Sequence, residues 1–183
     1  MLLEEMLQHN VQFMEKGTHT SGRGKDFPNK NAVILTCMEI QLDELLPKAL
    51  GLNSGDVQFI RNAGAILTEP DDSVMRSLLI AVYELRADEI FVIGHHDCWL
   101  NGFRPEGILE RMKVQGITEE EMSKFSDKSN LADWLRGFDQ AKEGIKTSVQ
   151  NIENHPLMPE DTPVHGLLIN TDSGKLDIVV NGY

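Results

Sequence analysis

The chain has two cysteines, Cys37 and Cys98, and each falls just after a short apolar run. Cys37 ends "AVILTC". Cys98 ends "VIGHHDC", with His95 three residues before it. Two thiols and an imidazole form a soft donor set that suits zinc. Three protein donors leave a fourth position open for a reactant, whereas a structural site uses four. The competing reading is two inert thiols in a core, since free cysteine is among the most buried residue types. The H-x-x-C spacing also arises by chance, so placement has to decide.

Placement follows from the elements. "AVILTC" and "EIFVIG" are apolar throughout and rich in β-branched residues, as fully buried strands are. "DVQFIRN" reads as a strand between them. "QLDELLPKALGL" has helical spacing, with Pro47 as the point where it would break or kink. "VMRSLLIAVYELRA" is a strong amphipathic helix, with Asp72 or Ser73 as its N-cap. Strands alternating with helices predict an α/β domain built on a mostly parallel central sheet flanked by helices. In such a sheet, ligands collect beyond the carboxyl ends of the strands. Cys37, His95 and Cys98 are therefore expected on one edge.

The rest of the chain fits that frame. A short helix is expected near Glu106 to Val114. A longer one follows through Leu131, Trp134, Leu135, Phe138, Ala141, Ile145, Val149 and Ile152, which recur every three or four residues. The tail "VHGLLINTDSGKLDIVV" reads as two strands around a turn, adding a C-terminal edge strand. Residues 1–31 read as an N-terminal helical arm, ended by Gly17, and a polar loop. No internal repeat or second domain is visible, so residues 1–183 are expected to form one domain.

The charge balance narrows the partners. Seventeen basic against twenty-nine acidic residues give a formal net charge of −12. That argues against nucleic acid and anionic membranes, which need a basic footprint. Glu4 and Glu5 stand where a signal peptide needs basic residues, and no run approaches the roughly 20 apolar residues of a membrane span. The expectation is a cytoplasmic protein.

At the candidate donors the chain resembles the β-class carbonic anhydrases. The family pattern is Cys-x-Asp-x-Arg after the first strand, Arg-Asn-Ala-Gly after the second and His-x-x-Cys after the third. Here those segments read "CMEIQ" (37–41), "RNAG" (61–64) and "HHDC" (95–98). The resemblance runs in order from Ala32 to Tyr183. It implies zinc held by Cys37, His95 and Cys98, in a homodimer or dimer of dimers whose N-terminal helix wraps over the partner. It also implies a zinc lyase (carbonate dehydratase) that reversibly hydrates carbon dioxide to bicarbonate by zinc-bound hydroxide. Gly64 is then expected on the substrate side.

One departure bears on activity. The family pairs an Asp, which orients the reacting water, with an Arg that holds the carboxylate off the metal. This chain has Glu39 and Gln41 there. Glutamine loses the cation and its bidentate fork. Glu39 then has less reason to stay off zinc, and as a fourth ligand it would close the site. Two alternatives follow: a non-catalytic zinc-binding relative, or a zinc hydrolase of a carbon dioxide analogue such as carbon disulfide. Among the other residues, Trp99 either crowds the pocket or simply packs. Arg61 is expected to pair with an acid, and His9, His19, His155 and His165 to lie at the surface or in turns.

Overall fold

The computed structural model describes residues 1–16, 27–125 and 130–183. Gly17, His19 and most of the polar loop lie outside them. Five strands form the sheet: β1 (Ala32–Cys37), β2 (Gln58–Asn62), β3 (Glu89–His95), β4 (Val164–Ile169) and β5 (Leu176–Val180). Their spatial order is β2-β1-β3-β4-β5. The first four are mutually parallel and β5 closes the edge antiparallel to β4. The expected fold is confirmed.

Alternation along the strands explains the two layers. Val33, Leu35, Ile90 and Val92 face a core built with α3 (Ser73–Tyr83) and α7 (Ala141–Glu153). Ile34 and Ile93 face the other way, toward Leu42 and Leu46 of α2 (Leu42–Leu50). With both faces covered there, the central strands can be apolar at every position. The Asp72 side chain caps α3, accepting from the Met75 N–H at 2.8 Å. Pro47 does not break α2, which runs on to Leu50 and ends at left-handed Gly51. The bond that proline forgoes belongs to the carbonyl of Asp43, an exposed residue that water can reach.

Two sequence expectations need correction. The single long helix over residues 131–152 is instead α6 (Leu131–Leu135) and α7, separated by an extended stretch. The cause is tertiary. Gly137 lies against the Leu100 backbone, where a Cβ would overlap the Leu100 carbonyl oxygen. The Gly102 N–H donates to the Phe138 carbonyl at 2.7 Å, and the Gly137 N–H to that of Phe103 at 3.3 Å. Those bonds outweigh helical continuation through Arg136 and Gly137. The second correction is His165, which is buried within β4 rather than at the surface. It stacks on Phe91, and its Nδ1 accepts from the Gly182 N–H at 3.1 Å.

The helix over Glu106–Val114, α4, has the expected bounds, and a short α5 (Glu119–Ser123) follows it. Its capping box, Thr118 with Glu121, is a signal that "TEEE" already carried. Among the described residues, none of the N-terminal helix α1 (Leu2–Glu15) is buried, although Leu2, Leu3, Met6, Leu7, Val11 and Met14 are apolar.

Candidate metal centre

β1 and β3 are parallel neighbours, so Cys37 and His95 emerge at the same edge of the sheet. Beyond His95 the chain turns tightly, with the His96 N–H bonded to the Ile169 carbonyl at 3.1 Å. That turn brings Cys98 back. The donor atoms of Cys37, His95 and Cys98 lie within 4.8 Å of one another, and all three residues are buried. The sulfurs are 3.9 Å apart.

Two observations fit a metal ion. Tetrahedral zinc with Zn–S of about 2.3 Å places two sulfurs roughly 3.8 Å apart, close to the observed 3.9 Å. Both ring nitrogens of His95 are buried without a protein hydrogen-bond partner. An imidazole left in that state costs stability unless something else engages it. A hydrogen bond between two thiols would also give that separation; the unpartnered imidazole is what the inert-thiol reading does not explain.

The thiols act on each other. Contact with the Cys98 thiol pulls the Cys37 thiol well below its ordinary range, helped by His95 and by the backbone N–H groups of Gly64 and Glu39, while burial opposes. Cys98 is pushed up by the Cys37 sulfur and by burial, with a smaller contribution from the charge of Glu39.

Glu39 is half-buried, and its carboxylate is not part of the three-donor group. Gln41 is exposed at the start of α2 and makes no side-chain cap there. Gly64 sits in a one-turn 3-10 segment, Ala63–Ala65, with φ of +84°. Its N–H donates to Cys37 Sγ at 3.4 Å. The resemblance put Gly64 on the substrate side; that its N–H meets the Cys37 sulfur only the fold reveals. Arg61 pairs with Asp43 at 2.9 Å, as expected. Trp99 packs edge-on against Phe103, and its ring stays half-exposed. His96 reaches Asp177 of the edge strand at 3.1 Å, a contact the sequence did not signal. Around Cys37, Cys98 and Leu100, the partly buried Ala63, Ile66, Phe103 and Phe138 complete an apolar wall.

Residues 32–176 match the profile of the carbonic anhydrase family. YvdA of Bacillus subtilis, provisionally named a carbonic anhydrase, is 43% identical over 182 residues, covering 99% of this chain and 92% of that protein. YtiB of the same organism, named in the same provisional way, is 46% identical over 184 residues, covering 100% and 98%. The crystal structure of β-carbonic anhydrase isoform I from Trichomonas vaginalis superposes with a TM-score of 0.86 at 33% identity, covering 99% of this chain and 98% of that one. With its five-stranded sheet and its Cys-His-Cys donor set, the chain is a member of the β-carbonic anhydrase family.

Proposed function

We propose that the protein is a zinc-dependent carbonic anhydrase that reversibly hydrates carbon dioxide to bicarbonate. The observation that carries this is the buried donor group of Cys37, His95 and Cys98, with both His95 nitrogens unclaimed by the protein. Zinc supplies Lewis acidity that brings the pKa of water from about 15.7 toward 7. The two sulfurs and the imidazole hold the ion. Leu100, Ile66 and Phe138 give carbon dioxide, an apolar gas, an apolar surface to rest against and keep bulk water out. Glu39 is the acceptor nearest the chemistry in sequence, and its charge is felt at Cys98. It orients the attacking water, and Gln41 flanks it. Gly64 borders the substrate side.

The same charge favours a second reading. Without an arginine at position 41 to hold it, Glu39 would be free to join the three donors around a bound zinc and close the site, which would leave a zinc-binding relative without catalysis. A hydrolase of a carbon dioxide analogue uses the same donors. Stopped-flow hydration with zinc-loaded protein separates them: rates at buffer background from about pH 7 to 9 refute the anhydrase reading. Absence of stoichiometric zinc refutes all three.

The unit is a single domain that assembles as a homodimer or dimer of dimers. The support is α1, whose Leu2, Leu3, Met6, Leu7, Val11 and Met14 stay exposed among the described residues, and a cleft of about 210 Å³ over Ile34, Phe91 and Ile93 on the α2 face of the sheet. Two free buried thiols suit a reducing cytoplasm. Among the described residues no helix is long and apolar enough to cross a membrane.

A further inference from the structure

Two thiolates donate more charge to a metal than histidines do, and so blunt its power to acidify water. The fold contains a device that acts against this. The Cys37 sulfur accepts the backbone N–H of Gly64 at 3.4 Å. Hydrogen bonds to a ligand's donor atom draw charge away from the metal.

We infer that Gly64 is a positioning residue for the reaction, because its amide holds charge on the Cys37 sulfur and keeps the metal there a strong Lewis acid. The inference rests on the zinc reading above. Three features aim the amide. The backbone at Gly64 is left-handed, at φ +84°, a conformation that other L-residues adopt only with strain. There is also no room for a side chain: a Cβ would come 2.6 Å from Leu100 Cδ1 and 3.0 Å from Phe138 Cε1. Finally, that wall is itself locked. The Phe138 carbonyl accepts the Gly102 N–H at 2.7 Å, and the Asn101 and Phe138 backbones form a bridge. The break between α6 and α7 thereby has a use, since it carries the Phe138 ring onto Gly64. Helix α7 accommodates the same ring at Gly144, where a Cβ would lie 2.8 Å from it.

The test deletes one hydrogen. Glycolic acid in place of Gly64, introduced from a chemically acylated suppressor tRNA, replaces the amide with an ester and adds no side chain. Cobalt(II) in place of zinc reports on the ligand through its sulfur-to-metal charge-transfer band. With the amide gone the sulfur is richer in electrons, so the band moves to longer wavelength. The pH midpoint of hydration by the zinc form rises by about half a unit, a diluted share of the one to two units a charged hydrogen bond moves its own acceptor. A second variant guards against poor expression of the ester. Gly64→Ala with Leu100→Ala displaces the amide, and its band is compared with that of Leu100→Ala alone; the same red shift is expected. An unmoved band in either cobalt-loaded variant overturns the inference. A wild-type protein with no such band overturns the metal reading instead.

Discussion

Replacing Gly137 with alanine should unsettle this protein far more than one methyl group suggests. The backbone there is open to any residue, so the cost is steric. A Cβ at Gly137 would overlap the Leu100 carbonyl oxygen and come 2.9 Å from Phe103 Cβ. Neither is the free end of a flexible side chain, so the 100–103 turn has to move. Overpacking of this kind costs about 1–3 kcal/mol. The move also strains two backbone hydrogen bonds, Gly137 to Phe103 and Gly102 to Phe138, each worth about 1 kcal/mol. A loss of roughly 3–4 kcal/mol lowers the Tm of a 183-residue domain by about 10 °C. Gly107→Ala is the matched control. Gly107 lies inside α4, and the nearest atom to its Cβ would be the Arg111 guanidinium at 3.6 Å. The same substitution there improves helix propensity by up to about 1 kcal/mol and raises Tm by about 2–4 °C. Scanning calorimetry of both variants measures the contrast. A Gly137→Ala protein melting within about 2 °C of wild type would refute the account of the helix break.

Four further outcomes are expected. His95→Ala removes the one nitrogen donor, so metal analysis after dialysis should find zinc below one equivalent while the sheet melts close to wild type. In metal-free protein, hydrogen peroxide should oxidise Cys37 and Cys98 to a disulfide and itself be reduced to water, because the sulfurs start only 3.9 Å apart. Intact mass should fall by ~2 Da and zinc should block the change; formation at the same rate with zinc bound would contradict the shared donor set. Glu39→Asp with Gln41→Arg restores a charged pair beside the metal and should raise hydration roughly tenfold or more, the worth of one charge-assisted hydrogen bond; no gain points to an obstruction elsewhere. Deleting residues 1–16 should lower the particle mass by light scattering to that of a monomer, and an unchanged oligomer would show that α1 is not the contact.

The fold was legible where local pattern and tertiary role agree. "AVILTC" is buried at every position and "EIFVIG" at all but Glu89 and Phe91, so composition alone marks them as central strands. Cys37, His95 and Cys98 were legible because strand ends in a parallel sheet share an edge. The helix break was not. Phe138 faces inward whether or not the helix continues, so the 3.6-residue pattern runs on unbroken. What stops the helix is Leu100, thirty-seven residues earlier, touching a glycine whose identity says nothing of its partner. His165 escaped for a similar reason. Its cover comes from Phe91 and from the ring of Tyr183, 4.6 Å away at the far end of the chain. The hydrogen bond from Gly64 to sulfur joins two segments only through their alignment beside β1.

The three donors do not sit on equally firm ground. Cys37 and His95 end strands that are each paired on both sides, β1 between β2 and β3, and β3 between β1 and β4. Freeing either means fraying the middle of the sheet, which opens with something near the full unfolding energy. Cys98 rides on a turn of a few bonds. If the three residues hold zinc as proposed, a chelator stripping it would meet a gate at one ligand only. Its rate should follow the opening of the 96–101 turn, so hydrogen exchange there should keep time with metal loss while the amides of β1 and β3 stay protected.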